Sequence, residues 1–363
     1  MESGFPTIAD FKVVYRQFLN ENGELVHDLP SFAIPETLRF LYKEMLLVRT
    51  FDTKAINLQR TGKMGTYPSI LGQEAVSVAI GHAMKKEDVL VPYYRDQGAQ
   101  LQRGTSMADI FRYWGGDERG SDFRHAREDF PICVPIATQC LHATGIARAF
   151  QYRKQARVAV STIGEGGTSK GDFYEALNLA GVWNLPVVFV VNNNQWAISV
   201  PRASQTGAQT IAQKAIAGGF TGIQVDGNDV IAMRQTMTEA LEKARSGHGP
   251  TLIEAMTYRL GDHTTADDAS RYRNKEELAL AWEKEPLRRL RNYLIAQQLW
   301  SDEEEEKLIA DSQREVAQAV EDYVQTPRQT LNDLFDYTYE IMTPPLLEQK
   351  DYAHRFKEKA HHD

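Results

Sequence analysis

Residues 157–199 read RVAVSTIGEGGTSKGDFYEALNLAGVWNLPVVFVVNNNQWAIS, and this stretch predicts how the chain folds. RVAVSTI is β-branched and apolar enough for a buried strand, and VVFVV has the same character. The segment between them predicts a helix that starts near Asp172 and ends at the NLP triplet. Because such crossovers join parallel strands with a right-handed connection, the two strands should lie in one sheet with the helix on one face.

Polar residues follow each of these two predicted strands. Glu165 lies among Gly164, Gly166 and Gly167 after the first strand, and Asn194 closes the asparagine triplet after the second. Since the carboxyl ends of parallel strands open on one edge of the sheet, we expect Glu165 and Asn194 to meet there. Carboxylate and amide oxygens suit hard cations such as Mg²⁺ or Ca²⁺, and the backbone N–H groups of the turn favour a diphosphate. The stretch therefore predicts a Mg²⁺-diphosphate site.

Two better-known phosphate motifs do not fit this turn. GEGGTSKG lacks the GxxxxGK[ST] pattern of a P-loop, and a GxGxxG dinucleotide fingerprint counted from Gly164 would need glycine where Ser169 stands. A plainer alternative is a glycine-rich turn with a solvated glutamate. The asparagine triplet at the far end of the same crossover favours the metal-diphosphate interpretation.

Strand-like and helix-like segments alternate through the middle of the chain. The predicted strands are 88–92, 157–163, 187–191, 222–225 and 251–257, and the predicted helices include 139–153, 172–183 and 230–246. This alternation predicts an α/β fold with a mostly parallel sheet and helices on both faces. We expect helical additions at both termini. The chain then divides into an N-terminal arm and helix (1–60), an α/β domain (61–273) and a C-terminal helical region (274–363) packed on that domain.

The composition of the 363 residues argues against several classes of protein. A net charge of −8 gives no electrostatic support for binding nucleic acid. No apolar run approaches the roughly 20 residues that a membrane span needs. The first residues, MESGFPTIADF, lack the pattern of a secretory signal or a transit peptide. Cys133 and Cys140 form no CxxC pair, which suits a reducing compartment, so we expect a cytoplasmic protein.

The GEG and NNN triplets resemble the thiamin-diphosphate motif, whose usual form is GDG followed by NN. Further segments are similar to the alpha subunits of 2-oxo-acid dehydrogenases of the separate alpha-plus-beta type: TGKMGTYPSILGQEA (61–75), YYRDQGAQLQRG (93–104), PIATQ (135–139), GDFYEALNLAG (171–181) and TYRLGDHTTADDASRYR (257–273). The resemblance runs from about residue 35 to about residue 340. It implies the thiamin-diphosphate-binding fold, with bacterial pyruvate dehydrogenases as the nearest match and branched-chain 2-oxo-acid dehydrogenases as the alternative.

The resemblance implies which residues hold the metal and the diphosphate. Glu165 occupies the place of the metal-binding aspartate of GDG, as in branched-chain relatives. Asn194 would supply its side-chain oxygen and Trp196 its backbone oxygen, with diphosphate oxygens completing the shell of Mg²⁺. Gly166 and Gly167 would present backbone N–H groups to the diphosphate.

The remaining implied contacts come from three other segments. Tyr94 and Arg95 match a pair that contacts the diphosphate. Gly164, the first residue of the GEG motif, is also expected to contact the cofactor. Ile136 matches a bulky apolar residue that holds the cofactor bent. His263, in a polar loop, aligns with the family's catalytic histidine, which assists reductive acylation of a lipoyl group. On the residues alone a solvated histidine is the commoner case; with the resemblance we expect a mobile loop and a near-neutral pKa for His263.

Two sites of some relatives are not clearly present. Thr138 and Gln139 match a potassium site of branched-chain relatives, but Cys133 stands where a serine occurs, and a thiol is a poor potassium ligand. Thr264 stands where mitochondrial relatives carry a phosphorylated serine, and nothing in the sequence predicts that modification here.

The resemblance also implies partners. In this family the glutamate that activates the cofactor comes from a beta subunit, so we expect an obligate complex, commonly two alpha and two beta chains. The acyl group of a small 2-oxo acid is passed to the lipoyl domain of an acyltransferase. Two alternatives from other classes are a nicotinamide-dependent oxidoreductase, disfavoured by the failed GxGxxG pattern, and a non-catalytic subunit, disfavoured by the intact Glu165, Asn194 and His263.

Overall fold

Six parallel strands form one sheet in the computed structural model of the chain, which describes residues 7–360. The strands of the chain are β1 (Val14–Arg16), β2 (Val89–Val91), β3 (Ala159–Gly164), β4 (Val187–Asn193), β5 (Trp196–Ala197), β6 (Val200–Pro201), β7 (Thr221–Asp226) and β8 (Thr251–Met256). The order across the large sheet is β1-β7-β8-β4-β3-β2, and β5 and β6 form a separate antiparallel pair. All five predicted strands are present, which confirms the mostly parallel α/β sheet.

Helices cover both faces of this sheet. They are α1 (Pro35–Arg60), α2 (Glu74–Ala83), α3 (Gln97–Gln102), α4 (Met107–Trp114), α5 (Thr138–Tyr152), α6 (Gly171–Val182), α7 (Lys214–Ala217), α8 (Val230–Arg245), α9 (Lys275–Glu283), α10 (Pro286–Ala296), α11 (Asp302–Val324) and α12 (Pro344–Ala360). The helices α1, α2, α8 and α10 share one apolar core with the sheet, and α5 and α6 share a second.

Strand β4 shows why the segment VVFVV is apolar without interruption. Val188 and Val190 pack into the core under α2 and α8, whereas Phe189 and Val191 pack into the core under α5 and α6. Successive side chains of a strand point to opposite faces, so a central parallel strand needs apolar residues at every position.

The N-terminal arm supplies a strand that the sequence did not predict. Strand β1 pairs in parallel with β7 and forms one edge of the sheet. The Asp229 carboxylate fixes the arm, because it accepts hydrogen bonds from the backbone N–H groups of Phe18 (2.6 Å) and Leu19 (2.8 Å) and also caps helix α8. Three residues are too short a run for a strand prediction, and this strand is mostly exposed rather than part of a buried apolar segment.

The C-terminal helices extend the fold beyond the sheet. Helix α11 begins with a capping box formed by Ser301 and Glu304, and it packs on α1 and α4 through Val316. Within residues 7–360, no helix is long and apolar enough to cross a membrane. Cys133 and Cys140 are both free thiols.

Candidate active site

The β3–α6–β4 crossover brings Glu165 and Asn194 together. Strands β3 and β4 are adjacent and parallel, and Gly164 at the end of β3 pairs with Asn192 near the end of β4. The residues that follow each strand are therefore neighbours: the backbone N–H of Asn194 donates to Oε2 of Glu165 at 3.2 Å. The glycine turn itself forms a short 3-10 helix, Glu165–Ser169, before α6 begins.

The Glu165 carboxylate is buried, and one of its two oxygens makes no hydrogen bond within the described residues. It is 3% exposed, its Oε1 atom has no partner within the described residues, and burial raises its pKa above the ordinary value. A buried carboxylate oxygen without a partner costs free energy that a bound cation recovers. This observation fits a metal ligand at Glu165.

The Asn194 amide stands beside this carboxylate in a fixed orientation. Its Oδ1 atom accepts from the backbone N–H of Trp196 at 3.2 Å, and its Nδ2 atom donates to Oε1 of Gln73 at 3.0 Å. Between Asn194 and Trp196 the chain turns through Gln195, whose φ is +73°. No cluster of three or more His, Cys, Asp or Glu side chains suited to a metal occurs in the described part of the chain, so a cation here would need amide, backbone or ligand oxygens.

The backbone oxygen of Trp196, the third predicted metal ligand, already accepts one hydrogen bond. Nη1 of Arg259 donates to it at 3.2 Å. A carbonyl oxygen carries two lone pairs, so this bond leaves one free. The role of Trp196 in metal binding stays a prediction.

Close packing requires glycine at both positions after Glu165. A Cβ atom on Gly166 would lie 2.4 Å from Cβ of Ala197, and one on Gly167 would lie 2.7 Å from Ile163 and 2.8 Å from Ile136. The short 3-10 helix therefore sits directly against Ile136 and the segment after Asn194. The family resemblance implies that these glycines contact a ligand, and the structure adds this steric reason.

One cavity of about 360 Å³ is lined by all ten predicted cofactor residues. These are Tyr94, Arg95, Ile136, Gly164, Glu165, Gly166, Gly167, Asn194, Trp196 and His263. The wall also includes residues that the sequence analysis did not name as contacts, among them Val134 and Ile198, whose apolar side chains are exposed at its mouth. A larger cleft of about 760 Å³ between α4 and α11 contains none of these ten.

His263 lies between two guanidinium groups. Its Nδ1 atom is 3.1 Å from Nη2 of Arg95 and 3.2 Å from Nη1 of Arg259. Guanidinium groups only donate hydrogen bonds, so Nδ1 must be the acceptor and the ring proton must be on Nε2. Burial and the two arginines lower the pKa of His263 to about 3. The prediction of a near-neutral pKa is therefore wrong for the protein without ligands, because it ignored these two cations.

The loop that carries His263 is held by hydrogen bonds at several points. The backbone N–H of His263 donates to Asp267 at 2.9 Å, and the Thr265 N–H donates to the carbonyl of Tyr67 at 2.9 Å. Arg95 also donates to the His263 carbonyl at 2.8 Å. These contacts give the loop, which the sequence predicts to be mobile, a defined conformation.

Arg95 and Arg259 are buried cations without carboxylate partners. They are 1% and 0% exposed, and no Asp or Glu oxygen of the described residues lies within ion-pair distance of either. Their N–H groups donate instead to carbonyl oxygens of Ser69, Trp196 and Ile198. Two such cations are costly to bury, and a bound anion close to them offsets that cost. Arg259 lies within the segment TYRLGDH, but the sequence does not predict a role for it. Only the fold places it near His263, across from Arg95.

Comparison with known proteins agrees with this geometry. The pattern of the family described as "Dehydrogenase E1 component" matches residues 42–332. A chain named 3-methyl-2-oxobutanoate dehydrogenase subunit alpha, from Mycobacterium tuberculosis, is 44% identical over 324 residues, which are 89% of this chain and 87% of that one. Two chains named pyruvate dehydrogenase E1 component subunit alpha are similar as well. The Acholeplasma laidlawii chain is 42% identical over 93% of this chain and 99% of its own length, and the Staphylococcus aureus chain is 39% identical over 97% and 95%.

The chain belongs to the dehydrogenase E1 component family. It is an alpha-type chain of the thiamin-diphosphate-dependent 2-oxo-acid dehydrogenases. The six-stranded parallel sheet with helical segments at both termini is consistent with this family. The cavity residues of this E1 alpha chain fit a cofactor that carries both a cation and an anionic diphosphate, since a Glu165 oxygen without a partner and the Arg95 guanidinium, which has no carboxylate partner, line the same space.

We predict that His263 stays neutral in the cofactor-free E1 alpha chain down to about pH 4, as its pKa of about 3 requires. Replacing Arg259→Gln removes one of the two cations at Nδ1, so the pKa of His263 should rise toward its ordinary value. ¹⁵N NMR of labelled histidines reports both the protonation and the Nε2–H tautomer, with the signal assigned by its loss in His263→Ala.

Arg271→Gln provides the control, because Arg271 is an exposed arginine of the same loop. It should leave the titration of His263 unchanged. Titration of the unmodified His263 near 6.5 would contradict the lowering of its pKa by burial and by Arg95 and Arg259.

Proposed function

We propose that the chain is the alpha subunit of an enzyme that binds thiamin diphosphate with Mg²⁺ and decarboxylates a small 2-oxo acid. The acyl group then passes to the lipoyl domain of an acyltransferase partner. One observation carries the proposal: a single cavity is lined by Glu165, which has a carboxylate oxygen without a partner, by the Asn194 amide and by Arg95, a guanidinium without a carboxylate partner. Oxygen ligands for a cation thus stand beside donors for an anion, which is the pattern that a metal-bound diphosphate needs.

In this proposal the metal is held by the edge of the sheet. Glu165 supplies a carboxylate oxygen, Asn194 its Oδ1 and Trp196 its backbone oxygen. Mg²⁺ prefers about six oxygens and usually keeps only one or two carboxylates, so phosphate oxygens would complete its shell. The chemical fit of this donor set supports Mg²⁺ over softer metals.

The diphosphate and the ring system of the cofactor would lie along the rest of the cavity. Tyr94 and Arg95 are placed at one wall, and the 3-10 helix containing Gly166 and Gly167 forms another. Ile136 packs against this helix and is suited to support a bent cofactor. When bound, thiamin diphosphate supplies the electron sink for decarboxylation.

His263 contributes a hydrogen-bond donor in the proposed site. Because Nδ1 is occupied by two arginines, only Nε2–H is free to act on a ligand. A bound diphosphate would offset the positive charge of Arg95 and Arg259 and so raise the pKa of His263 from about 3. The imidazolium, which carries a second proton on Nδ1 in place of the arginine hydrogen bonds, would then be more populated, and it is the form that can give its Nε2 proton to an opening lipoyl disulfide.

The cavity of this chain holds only part of what the reaction needs. Glu165 is the one carboxylate among its lining residues, and the proposal commits it to the metal. A second carboxylate to activate the cofactor would come from a beta subunit, in an assembly of two alpha and two beta chains that we expect in the cytoplasm. The C-terminal segment supports such a partner, since Tyr337 and Ile341 are more than four-fifths exposed and Tyr352 about two-thirds.

Pyruvate is the substrate that we favour, on the overall resemblance and on the two named pyruvate dehydrogenase relatives. A branched-chain 2-oxo acid is the second candidate. The GEG form of the motif and the 3-methyl-2-oxobutanoate dehydrogenase relative favour it, and so do the apolar side chains of Val134 and Ile198 at the mouth of the cavity.

Replacing Glu165→Ala should abolish Mg²⁺-dependent binding of thiamin diphosphate, because it removes the charged ligand of the metal. Calorimetry of the co-expressed alpha–beta pair measures this binding. The melting temperature should not fall, since the variant removes a buried carboxylate that lacks a full set of partners.

Glu283→Ala is the matched control, because Glu283 is an exposed glutamate on α9. It should bind cofactor as the unmodified pair does. Unchanged cofactor affinity in Glu165→Ala with Mg²⁺ present would place the metal elsewhere.

The reconstituted pair should decarboxylate pyruvate faster than 2-oxoisovalerate, and the alpha chain alone should turn over neither. The measurement compares kcat/KM for the two acids in the presence of Mg²⁺ and thiamin diphosphate. A clear preference for 2-oxoisovalerate would replace pyruvate by the branched-chain acid. Robust turnover by the purified alpha chain would refute the shared site.

Replacing His263→Ala should separate two half-reactions. Acyl transfer to a lipoyl domain should fall by about 100- to 10,000-fold, the usual range for losing a general acid or base. Decarboxylation with an artificial electron acceptor should keep much of its rate, because the activating carboxylate is proposed to lie on the beta subunit. Both rates are measured at saturating thiamin diphosphate, with exposed His248→Ala as the control. An equal fall in both rates would contradict the role given to His263.

A further inference from the structure

Gln73 is a buried polar residue that contacts Asn194. It stands at the N-terminal boundary of α2, yet its side chain makes no capping hydrogen bond to that helix. The residue is 0% exposed. A glutamine in this position must therefore be explained by something other than helix capping or solvation.

Among the described residues, the side chain of Gln73 makes a single hydrogen bond, and this bond goes to Asn194. Its Oε1 atom accepts from Nδ2 of Asn194 at 3.0 Å, while its own Nε2 has no partner within the described residues. An amide offers two donors and two acceptor sites, so most of this capacity is unused. Buried polar groups left without partners cost free energy, which an apolar side chain of the same volume would avoid. The contact with Asn194 is thus the one polar interaction that favours glutamine here.

The orientation of the Asn194 amide decides whether it can bind a cation. Its oxygen is a ligand for Mg²⁺, whereas its NH₂ group presents hydrogens and repels the cation. The Trp196 N–H holds Oδ1 from one side, and the Gln73 oxygen holds Nδ2 from the other. Both contacts select the same orientation, and removal of either leaves the amide freer to rotate about its last side-chain bond.

We infer that Gln73 is a positioning residue for the metal, acting through Asn194. This inference rests on the proposed function, since it deepens the metal site described there. Residues that orient ligands without touching the metal typically change its affinity by about 10- to 100-fold when they are replaced. Gln73 should therefore affect metal binding far more than it affects folding.

The test is Gln73→Leu, which keeps the approximate volume and removes the acceptor. The full chain is co-expressed with its beta subunit, and Mn²⁺ binding in the presence of thiamin diphosphate is measured by EPR. The Mn²⁺ Kd should rise about 10- to 100-fold. Gln73→Glu retains an oxygen for Asn194 Nδ2 and should restore a Kd within about threefold of the unmodified pair.

Gln97→Leu is the matched control. Gln97 is also 0% exposed, donates one hydrogen bond to the Pro68 carbonyl and has an unpartnered Oε1, but it does not touch Asn194. Its replacement should leave the Mn²⁺ Kd unchanged. If Gln73→Leu fails to fold, Gln73→Met, unbranched like glutamine and equally without an acceptor, is judged by the same criterion.

The outcomes separate this inference from the proposed function. If the unmodified pair shows no Mn²⁺ binding that depends on thiamin diphosphate, the proposed function fails. If the unmodified pair binds Mn²⁺ and Gln73→Leu, or Gln73→Met in its place, binds it equally well, only the role of Gln73 is overturned. A loss in Gln73→Leu that Gln73→Glu does not restore also overturns it, because the effect then does not come from the acceptor oxygen.

Discussion

The pairing of Gly164 with Asn192 at the ends of β3 and β4 is the constraint on which the site depends. It places the Glu165 carboxylate against the backbone of Asn194. A slip of one residue would exchange the two faces of β4 and move Phe189 from one apolar core into the other. The cost of that exchange fixes the register. Ordinary core packing thus determines where two polar residues, distant in sequence, come together.

The electrostatics of the cavity follow from which charges were left unpaired. Some buried ions of this fold have ion-pair partners, as Asp88 has in Arg245 and Arg289 has in Asp226. Arg95 and Arg259 have no carboxylate within ion-pair distance among the described residues, and Arg95 lines the same cavity as an oxygen of Glu165 without a partner. A ligand with a cation held by a diphosphate matches both groups at once. The same two arginines determine the tautomer of His263, so one arrangement serves ligand binding and the orientation of the histidine.

The sequence predicted the features that depend on local patterns. Apolar β-branched runs predicted five strands of the sheet, and a strand–helix–strand order predicted that Glu165 and Asn194 would meet. It did not predict the strand β1, whose three mostly exposed residues acquire their role only by pairing with β7. The sequence also did not predict the low pKa of His263 or the contact of Gln73 with Asn194, because each depends on neighbours from distant segments. The resemblance to a family named the site residues, but it did not say what surrounds them.

The distribution of chemistry within the cavity explains why one chain would carry only part of a catalytic site. In the proposed complex, Arg95, Glu165 and His263 all contact the metal or the diphosphate. The open end presents Val134 and Ile198, which are apolar and more than half exposed. Apolar side chains can shape an acyl group, but they cannot move a proton. In the proposed complex, the beta subunit that covers this end would supply both the missing carboxylate and the rest of the substrate pocket, so that acyl specificity would be decided jointly by the two chains.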